Sequence, residues 1–250
     1  MMEEERYEES LSALKAALRI GISAWGAQHD TVAGTLFNLA AVHELKGESP
    51  AALRVYERMD QLRASAGEPA RVRDGQLLGR HGRLLHQTGR HEEALEKLRE
   101  GLAVWRVVRQ QPDEEVFSVA GAVGAVLHAL ERRDEAADVL RGVASMQERA
   151  HGIESPQAAQ TFANLGVVLH AMGRNEEAVM LLRRSEEGIL KALGPADPQY
   201  IAVHQNLLAM TQSPEALSSG TGMSPFAGPG EDADVEVDGE YEAPVVQDGW

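Results

Sequence analysis

The sequence predicts an all-α solenoid of antiparallel helix pairs, followed by a disordered acidic C-terminal tail. Three observations carry that prediction. The stretch His170 to Ala178, His-Ala-Met-Gly-Arg-Asn-Glu-Glu-Ala, returns 42 residues earlier as His128 to Ala136 and again as His86 to Ala94. Two further steps land on Gly47 and Ala52, then on Tyr7 and Glu8. Self-similarity at a fixed period of roughly 20–50 residues marks a repeat array. The composition is 43% hydrophobic but only 4% aromatic, so the core is built from Leu, Ala and Val, of which Leu and Ala favour helix. From Ser213 onward there are nine acidic residues and no Lys or Arg, among Gly, Pro and Ser. Such a segment cannot bury enough apolar surface to offset its ordering entropy.

Taken in order, a half repeat covers residues 7–29. Its helix, Glu8 to Ala24, carries Leu11, Leu14, Leu18 and Ile22 at spacings of three and four, one face of a helix. In phase with the period, it is the second helix of a pair whose first is missing. The repeat 30–69 opens with Asp30-Thr31 as an N-cap, and its first helix carries Leu36, Leu39 and Val42. Gly47 ends that helix, and Pro50 sits in the first turn of the next, where its missing N–H is harmless. Leu53, Tyr56 and Leu62 line the second helix, and Gly67-Glu68-Pro69 closes the unit.

The repeat 70–112 contains Gly75, Gly79 and Gly82 in its first helix. Each costs roughly 1 kcal/mol against alanine, so this helix depends on its neighbours. The repeat 113–155 has Gly121 and Gly124 at matching positions, and Glu131 replaces its turn glycine. The repeat 156–197 follows the pattern most closely and closes with Gly194-Pro195-Ala196-Asp197-Pro198. A capping helix at 198–212 completes a 1–212 repeat domain, and residues 213–250 form the tail.

Composition excludes several function classes. There is no cysteine, hence no disulfide scaffold, thiolate metal site or cysteine nucleophile. This fits a reducing compartment and a cytoplasmic location. The opening Met1-Met2-Glu3-Glu4-Glu5 lacks the apolar run of a secretory leader, and no stretch approaches the length of a membrane span. The net charge of −15 argues against a nucleic-acid partner. It divides unevenly: with nine acids in the tail, the first 212 residues hold 30 acidic and 24 basic side chains, a net of −6.

Small residues recur where paired helices must approach closely. Ala40, Gly82, Gly124 and Gly166 form one series, and Ala52, Ala94, Ala136 and Ala178 a second, with Tyr56, Leu98, Leu140 and Leu182 following as the large partners. This pattern resembles the tetratricopeptide repeat. The 42-residue period resembles the long form found in kinesin light chains. Phe162-Ala163-Asn164-Leu165-Gly166 with Gly173 to Ala178 is a close match, as is Asn38-Leu39-Ala40 with Gly47. The resemblance spans residues 7 to about 212 and implies a right-handed superhelix. Two departures stand out: no heptad segment precedes residue 7, which leaves a motor-binding role unsupported, and His81 occupies a position where the family usually has leucine.

In stacked helix pairs the first helices line the concave face. One rung across them is Asn38, Arg80, Ala122, Asn164 and Asn206, with Arg83 one turn beyond Arg80. The resemblance implies that asparagines at this register hydrogen-bond an extended peptide backbone. An amide both donates and accepts, so it suits a peptide of any sequence. The alternative is that asparagine merely tolerates an exposed groove. A second ladder is His86, His128 and His170. Rungs about 10 Å apart are too far to share one zinc with bonds of about 2 Å. These histidines are therefore polar helix-end residues or pH-tuned groove residues. Gly79 and Gly121 leave mid-groove backbone bare, either as a pocket or without purpose.

Enzymatic chemistry has no signature here. His43-Glu44 lacks a second histidine at the spacing of a zinc helix, and there is no Gly-x-x-x-x-Gly-Lys loop. Glu92-Glu93 and Glu176-Glu177 recur at helix starts, where carboxylates favour the helix dipole. The sequence therefore implies no cofactor and no catalysis. It points to a protein-interaction adaptor whose concave groove binds an extended peptide, with an acidic ligand favoured. The alternative is a structural subunit of a larger assembly, docking a partner or a second copy through the N-terminal end.

Overall fold

The computed structural model describes residues 2–67, 71–109, 111–152 and 155–212. Ten α-helices run through these residues, with no strand among them: α1 (Met2–Trp25), α2 (Asp30–Leu45), α3 (Ser49–Ala66), α4 (Val72–Gln87), α5 (His91–Val108), α6 (Glu114–Ala129), α7 (Arg133–His151), α8 (Pro156–Ala171), α9 (Asn175–Leu193) and α10 (Pro198–Gln212). The even-numbered helices start at 30, 72, 114, 156 and 198, a constant step of 42; α3, α5, α7 and α9 start at 49, 91, 133 and 175 with the same step. The first helix is longer than its apolar pattern suggested, beginning at Met2 instead of Glu8. The expected tail, 213–250, lies outside the described residues, as do residues 68–70 of the expected closure after Gly67.

The turns inside the pairs share one construction. Gly47, Gly89 and Gly173 hold φ of +71°, +81° and +77°, the left-handed region that a Cβ disfavours. Glu131 occupies the equivalent position at φ +58° and makes the same turn. The 131–132 backbone donates to His128 and Leu127 carbonyls at 2.9 Å each, matching the bonds from Gly89 to His86 (3.0 Å) and Arg90 to Leu85 (2.9 Å). These are the paired bonds that close a helix C-terminus. The turn with glutamate in place of glycine is therefore intact, with backbone strain stored at one residue.

The small-residue series works as spacing predicted. Ala52, Ala94, Ala136 and Ala178 are fully buried, as are Tyr56, Leu98, Leu140 and Leu182. A Cβ at Gly82, Gly124 or Gly166 would lie 2.6, 2.7 or 3.0 Å from a side-chain carbon of Leu98, Leu140 or Leu182 respectively. Two more glycines of α4 serve the same end. The Trp105 indole of α5 seats on Gly75, and Val119 of α6 seats on Gly79, 2.9 Å from where a Cβ would be. Gly79 is therefore a packing contact and not bare groove backbone; Gly121 has nothing within 4 Å of its Cβ position and is open. His81 fits the core in place of leucine: it is 2% exposed and its ring stacks on Tyr56 with centroids 5.9 Å apart.

Each helix packs on the next along the chain, and α4, α6 and α8 also touch one another directly. Contacts of α4 with α6 and of α6 with α8, and side-chain contacts of α4 with α2, thus build one wall from even-numbered helices, with α10 next in the series. At the amino end, Leu11 is buried and Leu14 and Leu18 are half-buried, with Leu18 packed against the main core. The stripe expected to lack a partner rests instead on α2, because a helix packed on the next one along the chain needs no preceding helix to cover that face. Exposed apolar surface at this end comes from Ile20, Ile22 and Trp25. At the other end, α10 buries Val203 and Met210 and leaves Ile201 and Leu208 exposed.

Candidate functional site

The wall formed by α2, α4, α6, α8 and α10 is the candidate site. Side chains bridge it from helix to helix. The Arg80 guanidinium of α4 lies over the Phe37 ring of α2, 4.9 Å from its centroid. Gln76 of α4 donates to Glu115 of α6 at 2.9 Å, and Arg83 Nη1 donates to Ser118 Oγ of α6 at 3.5 Å. The rung residues fall on this wall at one register with differing access. Asn38 is exposed; Arg80, Ala122 and Asn164 are half-buried; Asn206 is buried. Asn164 Oδ1 accepts from Gln160 Nε2 at 3.3 Å, which leaves its amide group able to donate outward.

The electrostatics single out α4. Most partly buried cations of the array are matched by carboxylates. Arg63 pairs with Asp60 and Glu100, Lys97 with Asp60, Arg73 with Asp30, and Arg132 with Glu135. Arg80 and Arg83 are the half-buried Lys or Arg residues that form no ion pair among the described residues. They sit one helical turn apart, where side chains are neighbours. Burial, and then the adjacent Arg80 charge, draw the Arg83 guanidinium below its ordinary value. The nearby Glu44 carboxylate is engaged by the Tyr56 hydroxyl, which donates to it. Burial and that carboxylate together push the Tyr56 phenol upward. Glu44 and Glu115 lie near enough to raise Arg83 in part, but neither forms an ion pair with it, so two adjacent, partly desolvated guanidiniums keep planar forks of donors that no carboxylate among the described residues fills.

The histidine ladder is brought to a different place. His86, His128 and His170 lie in the last turn of α4, α6 and α8, and His86 and His170 reach across the turn to the first residue of the following helix. His170 Nδ1 meets Asn175 Oδ1 at 2.8 Å, and His86 Nδ1 meets His91 Nδ1 at 3.0 Å, each five residues on. His43 Nδ1 makes the same reach to Glu48 Oε2 at 2.7 Å. Burial lowers the His86 and His128 imidazoles; the neighbouring His91 adds to the first and Arg133 to the second. The ladder thus edges the wall without joining Arg80 and Arg83.

Sequence reasoning missed Phe37, Glu44, Tyr56 and Ser118 as the surroundings of the arginine pair. Phe37 directly precedes rung residue Asn38, and that adjacency was the available signal. No group of three His, Cys, Asp or Glu side chains able to hold a metal occurs among the described residues. No helix of the described residues is long and apolar enough to cross a membrane.

The tetratricopeptide repeat family profile matches residues 115–191, and a second tetratricopeptide repeat profile matches 75–100. No curated protein matches the sequence. Among solved structures, BtubC (BKLC) from P. vanneervenii is 17% identical with a TM-score of 0.67, over 82% of this chain and 83% of that one. A Podosopora anserina kinesin light chain candidate with nearly identical TPR-like repeats is 17% identical, with a TM-score of 0.67, over 76% of this chain and 90% of that one. A Rap protein complexed with Competence and Sporulation Factor is 18% identical, with a TM-score of 0.59, over 88% of this chain and 60% of that one. The fold is the right-handed superhelical solenoid of antiparallel helix pairs. Tetratricopeptide repeat profiles thus match two stretches of this chain, and its fold is that of solved structures with kinesin light chain TPR-like repeats.

Proposed function

We propose that this chain is a protein-interaction scaffold that binds an extended, acidic peptide segment along the wall of its even-numbered helices. The observation that carries the reading is the Arg80–Arg83 pair, half-buried and without an ion pair among the described residues. Leaving charges partly desolvated and unmatched is costly unless a ligand supplies the counter-charge. In this reading Asn38 and Asn164 hold the peptide backbone, Arg80 and Arg83 hold its acidic groups, and Asn206, buried on α10, ends the rung. His86, His128 and His170 border the groove. The Rap neighbour, solved with Competence and Sporulation Factor, supports a ligand-binding role for such an array without identifying the ligand here. A cytoplasmic location belongs to the same proposal.

The test is selection of peptides from a random library on the full chain, followed by titration of the winners against two double variants. Arg80→Gln with Arg83→Gln, and Asn38→Ala with Asn164→Ala, are each expected to weaken binding at least tenfold. Winners that bind both variants as tightly as the parent would sink the groove reading.

A second reading rests on Ile20, Ile22 and Trp25, which are 67%, 44% and 56% exposed on α1. Here the chain is a structural subunit that docks a partner or a second copy through its amino end. A Ile20→Lys, Trp25→Lys variant that sediments identically to a strictly monomeric parent at high concentration removes the self-association form of this reading.

A further inference from the structure

The tail contains a pattern that the acidic count conceals. Asp232, Asp234, Glu236, Asp238, Glu240 and Glu242 occupy every second position, separated by Ala233, Val235, Val237, Gly239 and Tyr241. In an extended chain, successive side chains point to opposite faces, and alternate ones repeat about every 7 Å on the same face. Extended, this segment has one face of carboxylates and one of small, branched and aromatic groups. The wall complements the carboxylate face. Arg80 and Arg83 stand about 5–6 Å apart at their Cβ atoms, as residues one turn apart do, close to the spacing of two alternate carboxylates.

We propose that residues 232–242 dock as an extended strand in this chain's own groove, with two alternate carboxylates on Arg80 and Arg83. The docked segment occupies the place an incoming acidic peptide would take. This inference rests on the groove reading above and adds its regulation. Charge complementarity favours this occupant: the segment carries six carboxylates and no cation, and the other half-buried cations of the array are already matched. Reach permits it. The nineteen residues between Gln212 and Asp232 can extend to about 65 Å, while three rungs, from α10 back to α4, cover about 30 Å. A tether of this kind sets an effective concentration on the order of a millimolar. A contact with an intrinsic dissociation constant of about 0.1 mM is then roughly nine-tenths occupied.

The experiment uses full-length chains and a fluorescein-labelled synthetic peptide of residues 232–242. One variant has its tail neutralised: Asp232→Asn, Asp234→Asn, Glu236→Gln, Asp238→Asn, Glu240→Gln and Glu242→Gln. The peptide is expected to bind the neutralised chain about tenfold more tightly than the natural chain, because only the natural tail competes. Adding Arg80→Gln and Arg83→Gln to the neutralised chain is expected to weaken binding at least tenfold. Raising the salt from 0.1 to 0.5 M should weaken the peptide on the neutralised chain and narrow the gap between the chains. This readout needs no substitution at the half-buried arginines. Equal affinity for natural and neutralised chains overturns the inference, as does failure of the peptide to bind either one. A gap that grows with protein concentration, together with dimers in sedimentation, overturns it in favour of docking between copies. Loss of the tail effect while library-selected peptides still depend on Arg80 and Arg83 leaves the groove reading standing. Selected peptides indifferent to those residues remove the groove reading itself.

Discussion

Gly121 and Gly124 lie one turn apart on α6, so alanine at either position gains the same helix propensity, about 1 kcal/mol. Their surroundings differ. At Gly121 a Cβ meets nothing within 4 Å, whereas at Gly124 it would lie 2.7 Å from both Cγ and Cδ2 of Leu140. Leu140 is fully buried and its Cγ is the branch point next to the backbone, so it cannot swing aside without moving α7. Overpacking of that kind costs about 1–3 kcal/mol. Gly121→Ala should therefore stabilise by about 1 kcal/mol, and Gly124→Ala should come out neutral to about 2 kcal/mol destabilised after its propensity gain. The two variants should differ by about 1–3 kcal/mol, since propensity cancels in the comparison. For a chain of this size that is a difference of several degrees in melting temperature, at about 2–4 °C per kcal/mol. Thermal melts followed by circular dichroism at 222 nm would measure it. Equal shifts in the same direction would refute the claim that the glycine series is set by helix contact distance.

Glu131→Gly should raise stability by about 0.5–1 kcal/mol. Relief of left-handed strain at φ +58° outweighs both the added freedom of the unfolded chain and the loss of the surface ion pair from the exposed Glu131 carboxylate to Arg133; a melt at or below that of the parent contradicts this. Ala136→Trp or Ala178→Trp should destabilise by about 1–3 kcal/mol, because both alanines are fully buried between paired helices; a parent-like urea midpoint would show that the repeat register is misassigned. Burial holds the His81 imidazole below the ordinary value of about 6.5, against Asp60 and Glu57 of α3, which raise it, and with Lys97 of α5 and Arg90 just before it, which lower it. The folded pKa is below the unfolded one, so the unfolded chain binds more protons as the pH falls through about 6.5, and stability is lost from there downward. His81→Leu should flatten that loss between pH 7 and 5 in urea titrations; an unchanged slope assigns it to His86 and His128, which burial shifts the same way.

The helix frame was legible because each repeat restates its own local signals. Glycine at the turn, glutamates at the next helix start and an alanine facing a leucine recur every 42 residues, so an error in one repeat is corrected by the others. Glu131 shows how far that goes: a residue that contradicts the local rule still adopts the left-handed turn, because the flanking helices impose it. What the sequence concealed depends on contacts between repeats, where no single period applies. Gly79 and Gly121 are equivalent in register, yet Val119 covers one and nothing covers the other. The sequence leaves His86 and His170 as either helix-end or groove residues, because their contacts to His91 and Asn175, five positions on across a left-handed turn, are not encoded in the repeat period. The significance of Arg80 and Arg83 was the least legible. The sequence marks them as charged, but the lack of an ion pair on them emerges only once the partners of Arg63, Lys97, Arg73 and Arg132 are known. In a chain with 39 acidic residues against 24 basic ones, two half-buried cations without an ion pair are not a consequence of scarce carboxylates. Glu44 is close by and is held by Tyr56 instead, and the six alternating carboxylates of residues 232–242 are in the tail. That distribution is why the proposed groove reading rests on the arginine pair and not on the asparagine ladder.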